Sequence, residues 1–202
     1  PAYGLKPEKT YNTEIGYKMA SKKLQLSMAL YYMHLTNIIN RVQVQGQQIG
    51  GYNVYIKENK QESFIKGFEY DLQVQVSKKI LINSNGAYSF GQNTSRAEPM
   101  RRIPPFNGRT FIQFTQPTIQ YSVEYIYAAT QNRLAQGDKD DNRIPKGGTP
   151  GFGLVNFHAS TKYWGVAFRT GIMNILNTDY RMHGSGINGM GRNLYISAQF
   201  SF

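Results

Sequence analysis

One pattern constrains this chain more than any other: apolar and polar residues alternate with a period of two, over stretches of roughly ten residues, again and again. The C-terminal stretch 193–202 shows it best. Leu194, Ile196, Ala198, Phe200 and Phe202 fall on one face, and Asn193, Tyr195, Ser197, Gln199 and Ser201 on the other. In 10–20, Thr13, Ile15, Tyr17 and Met19 oppose Asn12, Glu14 and Lys18; in 23–35, Leu24, Leu26, Met28, Leu30 and Tyr32 oppose Gln25, Ser27 and Ala29. In 62–76, Phe64, Phe68, Tyr70, Leu72, Val74 and Val76 oppose Glu69, Asp71, Gln73 and Gln75. Stretches 80–91, 118–130, 151–162 and 165–175 repeat the pattern, and 108–114 carries a weaker version. No segment with helical periodicity lies between them, so the chain reads as all-β, with antiparallel neighbours joined by hairpins.

The connections alternate as well. Short turns fall near 21–22, 77–79, 116–117 and 163–164, and long ones over 37–61, 92–106, 131–150 and 176–190. Strict alternation puts every short turn at one end of the sheet and every long loop at the other. A soluble sandwich has no reason to segregate its loops, whereas a transmembrane β-barrel does. The expected fold is therefore an antiparallel transmembrane β-barrel, in which hydrocarbon forces each backbone polar group to be paired and the sheet to close. Tyr17, Tyr163, Trp164, Phe200 and Phe202 lie near the short-turn end, where an interfacial aromatic girdle is expected, and Phe202 closes the final strand.

Composition agrees. Mean hydropathy is −0.49, which suits strands with one wet and one greasy face. The longest apolar run, 28–33, is far short of the ~18 residues of a membrane helix. The absence of cysteine excludes a disulfide scaffold, a zinc–thiolate site and a cysteine nucleophile. The net charge of +11 is dispersed, much of it beside connections (Lys22-Lys23, Lys78-Lys79, Arg101-Arg102), which argues for solvated loops touching lipid phosphates and against a nucleic-acid partner. The chain opens at Pro1 with no export signal. Nine strands is an odd number, and bacterial single-chain barrels use even ones. Strands are thus expected before Pro1, which makes residues 1–202 the C-terminal portion of a larger barrel in the bacterial outer membrane.

Several segments, in order, resemble TonB-dependent outer-membrane receptors, notably those of Bacteroidetes-like bacteria. They are Leu5-Lys6-Pro7-Glu8-Lys9 with Glu14-Ile15-Gly16-Tyr17, Gly67-Phe68-Glu69, and Arg102-Ile103-Pro104-Pro105 with Gly108-Arg109. Further along come Gly147-Gly148-Thr149-Pro150-Gly151, Asn174-Ile175-Leu176-Asn177 with Tyr180, and Gly191-Arg192-Asn193 opening a last strand that ends in Phe. The resemblance implies a barrel of ~22 strands with a plug in its lumen, and import of a scarce solute: a siderophore, haem, cobalamin or glycan. It implies an energising TonB complex that engages a region upstream of Pro1. Lipopolysaccharide and other membrane lipid, and a surface lipoprotein, are further expected partners. A passive porin or structural barrel is the alternative, and a soluble all-β binding module the third reading.

Loop residues that could meet a ligand are Arg133, Asp138, Asp140, Asp141, Arg143, Tyr180 and His183. Asp138, Asp140 and Asp141 are close enough in sequence for a hard cation, but Lys139 and Arg143 are interleaved, which favours self-pairing. His183 could serve as an axial haem ligand or be a plain loop residue. Alternation puts Glu14, Lys18, Glu69, Asp71, Glu124, His158 and Arg169 toward the lumen, whereas Lys66 lands on the apolar face and should snorkel to headgroup level. The 184–189 stretch has the spacing G-x-G-x-x-G but precedes a strand rather than opening a helix, so it reads as a flexible loop. No Ser-His-Asp order or acid pair stands out. No enzyme activity, catalytic residue, resident metal or cofactor is expected.

Overall fold

The computed structural model describes residues 4–200, without the side chains of Arg41 and Lys60. Ser201 and Phe202, the expected end of the last strand, lie outside the described residues. The elements are β1 (Lys9–Ala20), β2 (Leu24–Ile49), β3 (Tyr52–Ser77), β4 (Ile80–Asn93), β5 (Glu98–Pro99), β6 (Asn107–Thr115), β7 (Ile119–Ala128), α1 (Gln136–Lys139), β8 (Phe152–Tyr163), β9 (Val166–Met173) and β10 (Asn193–Phe200). They form one antiparallel sheet in the order β1-β2-β3-β4-β6-β7-β8-β9-β10, with the two-residue β5 attached to β4. The nine alternating stretches are thus nine consecutive strands. Among the described residues, β1 and β10 each have a neighbour on one side only.

Burial in this sheet is inverted relative to a soluble domain. Among the described residues, the buried ones include Ser63, Ser122, Glu124, Gln131, Asp138, Asn156 and Asn174, against four apolar ones, Leu134, Ala135, Ile144 and Leu154. Leu194, Ile196 and Phe200 are 65%, 76% and 65% exposed. Soluble folds bury such side chains, at a gain of about 1.5–3 kcal/mol each; here that gain requires an apolar solvent around the sheet.

Register explains how each face is packed. Across the strands, Tyr70 pairs with Gly86, Gly86 with Gly108, and Gly108 with Tyr127. The two tyrosine rings lie over the two glycines, where an added Cβ would collide with them, and their hydroxyls meet at 3.3 Å. On the polar face Tyr195 covers Gly171 in the same way and reaches the ring of His158.

Two features depart from the sequence expectations. First, 37–61 is not a long loop. β2 and β3 stay paired through it and turn at Gly50–Gly51, whose φ values of 58° and 82° suit a two-residue hairpin turn that other L-residues would strain to make. The ladder slips between Leu35/Ile38, Ile38/Asn40 and Gln43/Gln48. Each bulge resets the inside–outside parity, so the alternation dissolves while the pairing continues. Loops 92–106 and 131–150 also contain β5 and the single turn α1.

Second, aromatic rings gather at the long-loop end too. On the apolar face Tyr32, Phe64 and Phe90 stack at 5.8 and 6.0 Å, and Phe68, Phe106, Tyr127 and Tyr125 continue the band at 6.0, 5.5 and 5.6 Å. Lys66 lies within this band, its Nζ 5.4 Å from the Phe90 ring and 6.0 Å from Phe64. At the short-turn end Tyr163 and Trp164 stack at 5.0 Å. Aromatics thus mark both ends of the strands, as both interfaces of a membrane require.

Candidate functional site

The polar face carries a connected network on β6 to β10. Glu124 on β7 forms an ion pair with Arg109 on β6 and accepts a hydrogen bond from Nδ2 of Asn156 on β8 at 2.6 Å. Nε2 of His158 lies 3.5 Å from the same carboxylate, and its Nδ1 is hydrogen-bonded to the Tyr195 hydroxyl at 2.9 Å. The Asn156 carbonyl oxygen accepts the backbone N–H of Asn174 at 2.7 Å. Asn174 then grips loop 176–190: its Nδ2 donates to the carbonyls of Thr178 and Met190, and its Oδ1 accepts the Thr178 N–H. The network therefore runs from the sheet wall to a long loop. A carboxylate as buried as Glu124 tolerates low dielectric only because a guanidinium and an amide compensate it.

Of the polar-face residues read from sequence, Glu124 and His158 come together. Arg169 lines one groove together with His158, Arg109 and Tyr195 of that network. Glu69 and Asp71 line a separate groove with Asn85 and Asn107, and Glu14 is exposed on β1, the edge strand. Arg109 was not among the expected residues. It lies on the weakest alternating strand, where parity is hard to assign, yet it supplies the charge that compensates Glu124.

The second cluster is in the long loops. Asp138, 1% exposed, faces Nε of Arg101 at 3.4 Å and accepts the backbone N–H of Arg102 at 3.3 Å. Asp141 accepts two hydrogen bonds from the Arg143 guanidinium at 2.8 and 2.7 Å and also pairs with Arg101 and Arg102. Arg143 holds the Asp141 carboxyl well below the usual carboxylate range, and Asp141 in turn raises Arg143. Asp140 instead accepts the Gln136 amide at 2.8 Å. The three aspartates are thus spoken for by arginines and an amide. Among the described residues no group of three or more His, Asp or Glu side chains gathers as a metal site.

Arg133 lies elsewhere, its guanidinium 3.7 Å over the Phe90 ring and 2.9 Å from Gln92 Oε1. Tyr180 packs against Phe152 at 4.9 Å, and Gly189 lies so close that a Cβ there would enter the Tyr180 ring. His183 Nδ1 shares a hydrogen bond with Thr149 Oγ1 at 2.9 Å. Burial pushes its imidazole below the ordinary value, partly opposed by the charge of Asp138. The glycine-rich 184–189 segment precedes β10, and among the described residues no helix follows it, so it does not have the strand–turn–helix context of a dinucleotide site.

The family description "TonB dependent receptor-like, beta-barrel" matches residues 1–175. Among solved structures, "Copper transporter OprC" superposes with a TM-score of 0.83 at 21% identity, covering 99% of this chain and 32% of that one. The FrpB iron transporter from Neisseria meningitidis (F3-3 variant) gives 0.75 at 16%, covering 98% and 32%. The ferric-catecholate import receptor Fiu from K12 E. coli gives 0.70 at 16%, covering 96% and 28%. At these identities the likeness is one of fold. The chain spans about a third of the length of those proteins. No curated protein matches in sequence.

Proposed function

The chain belongs to the TonB-dependent receptor β-barrel family, and from that premise we propose that it is the C-terminal part of an outer-membrane receptor that imports a scarce solute by energy-coupled transport. The observation that carries this reading is the inverted sheet: a polar face with a compensated Arg109–Glu124–His158 cluster, and an apolar face banded by aromatics at both ends. The polar face then looks into the lumen of a barrel of ~22 strands, and the long loops project outside the cell to capture the ligand.

The structural relatives are titled for copper, ferric catecholate and iron. A metal chelate or haem is therefore the leading cargo, with cobalamin or a glycan next. The TonB complex would supply energy through a region upstream of this chain. Lys66 and Arg133 both lie against the Phe90 ring and would be the residues to meet lipopolysaccharide phosphates; a surface lipoprotein would be a further partner.

The test uses the full-length protein. A plug domain encoded upstream, little spontaneous current in a planar bilayer, and uptake that disappears when the energising partner is deleted are expected. A large steady conductance with uptake independent of that partner would establish a passive porin instead.

A further inference from the structure

Two Asp-x-Arg pairs of equal spacing behave in opposite ways in the long loops. Asp141 and Arg143 pair directly, at 2.8 and 2.7 Å. Asp179 and Arg181 do not, because Asn188 stands between them. Its Nδ2 donates to Oδ1 of Asp179 at 3.0 Å, and its Oδ1 accepts the Nε–H of Arg181 at 2.7 Å. The amide thus holds both charges in place and keeps them apart. The second carboxylate oxygen of Asp179 and the two terminal nitrogens of Arg181 have no partner among the described residues. A spacing that permits direct pairing is kept open.

These groups line a cavity of about 220 Å³ between loops 131–150 and 176–190, with Pro145, Pro150 and Tyr180 as its other walls. Asp179 and Asn188 are exposed, so the space is open to solvent. The loop that carries them is braced before any ligand arrives. Tyr180 packs on Phe152 at 4.9 Å, and its carbonyl accepts the Gly189 N–H at 2.8 Å. The Thr149–His183 hydrogen bond ties the two loops together. Groups set in advance lose less freedom when a ligand docks. The charges then define the ligand. An anion would meet Arg181 with Asp179 beside it, and a cation would meet the reverse. Arg143, whose stem lies beside Gly186, is bound to Asp141 and does not line the cavity. An ammonium and a carboxylate on one carbon satisfy both free charges at once, through charge-assisted hydrogen bonds. Proline and tyrosine walls suit an apolar side chain. The volume is below the ~300–1,000 Å³ of drug-sized pockets, so it holds one residue and not a peptide.

We propose that this cavity binds a single zwitterionic α-amino acid with an apolar side chain, its ammonium on Asp179 and its carboxylate on Arg181. The inference deepens the import reading by naming a class of ligand, and it rests on that reading only for the cavity's facing the cell exterior.

The experiment takes the full-length receptor in an uncharged detergent, octyl glucoside, at pH 7. Saturation-transfer NMR is recorded with L-leucine, L-proline and L-phenylalanine. The N-acetyl and amide forms of each serve as anion-only and cation-only controls. At least one amino acid should bind, and both of its charge-deleted forms should bind about tenfold more weakly or not at all. Asp179→Asn keeps an acceptor for Asn188 and should weaken that amino acid about tenfold, the loss of one charged hydrogen bond. The same variant should bind the N-acetyl form as well as it binds the amino acid, a loss of selectivity that a merely structural role would not produce. Asn188→Ala lets Asp179 and Arg181 close on each other and should abolish binding. Failure of all three amino acids, equal binding of the charge-deleted forms by wild type, or unchanged affinity in Asp179→Asn would overturn the site. Uptake that ignores the energising partner would overturn the transport reading and leave amino-acid binding intact, so the two failures are separable.

Discussion

Asn156 donates its side-chain amide to Glu124 at 2.6 Å from the facing position on the neighbouring strand. Its carbonyl oxygen holds the backbone N–H of Asn174, so one amide joins a buried carboxylate to the segment that secures loop 176–190. Replacing it with alanine leaves Glu124 short of a donor and an N–H without an acceptor. Each such loss costs about 1–3 kcal/mol. Asn156→Ala should therefore lower the urea midpoint of the refolded full-length receptor by an amount equivalent to about 2–4 kcal/mol. It should also increase proteolysis in 176–190. Glu124→Gln keeps a partner for Asn156 and loses the ion pair with Arg109, and should be the milder change. Equal stability of Asn156→Ala and wild type would show that the network is ornamental.

The two faces of the sheet make opposite predictions for an introduced charge. Val123 sits mid-strand on the apolar face, directly opposite Phe157. An arginine there faces hydrocarbon at a cost of ~2–4 kcal/mol, and Val123→Arg should refold poorly into vesicles. Lys66 shares that face but lies in the aromatic band level with the long-loop end of β4, where its ammonium rests against Phe64 and Phe90. The cost of a charge near the interface falls to ~0–1 kcal/mol, so Lys66→Ala should change refolding yield little. A soluble all-β module would show neither asymmetry.

The contrast between strands and loops explains what was legible in the sequence. Strand parity is local: Leu194, Ile196 and Phe200 declare their face without reference to any other strand. The ends of the sheet follow from loop lengths alone. Extension of β2 and β3 to Ile49 and Tyr52 was hidden because the bulges after Leu35 and Gln43 shift parity inside an amide-rich stretch. The second aromatic band was hidden for a different reason. Phe64, Phe90, Phe106 and Tyr127 are far apart in sequence and meet only through register. The role of Arg109 was hidden likewise: its motif was visible, but its partner Glu124 comes from the next strand and only register brings the two together. The self-pairing of Asp141 with Arg143, two residues away, is the loop feature that spacing alone could suggest.

That aspartate gives a pH prediction with a definite sign. Its folded pKa is depressed by Arg143, so the stabilisation is fully present above the unfolded carboxylate value, ~3.9, and is lost as pH falls through the folded one. Loop 131–150 should hold its conformation from neutrality down to about pH 4 and loosen only in stronger acid. At neutral pH, Asp141→Asn removes the charge outright and should speed tryptic cleavage after Lys139 and Arg143. Unchanged cleavage in the variant would mean that Arg101 and Arg102 secure the loop through Asp138 alone.

His183 behaves differently because burial lowers its folded pKa. Neutral imidazole is the form that the folded loop accepts, so the stabilisation is present above the unfolded value of ~6.5 and declines as pH drops through it. The Thr149–His183 hydrogen bond, which ties loop 176–190 to loop 131–150, should therefore weaken over the interval just below the unfolded value of ~6.5, before Asp141 titrates. Hydrogen-exchange rates for 176–190, corrected for intrinsic pH dependence, should rise across that interval in wild type. In His183→Gln, which can still bond to Thr149 but cannot ionise, the rise should vanish. Two separate acid transitions, one per loop, are the expected pattern. A single transition near pH 4 would place control of both loops on the aspartates.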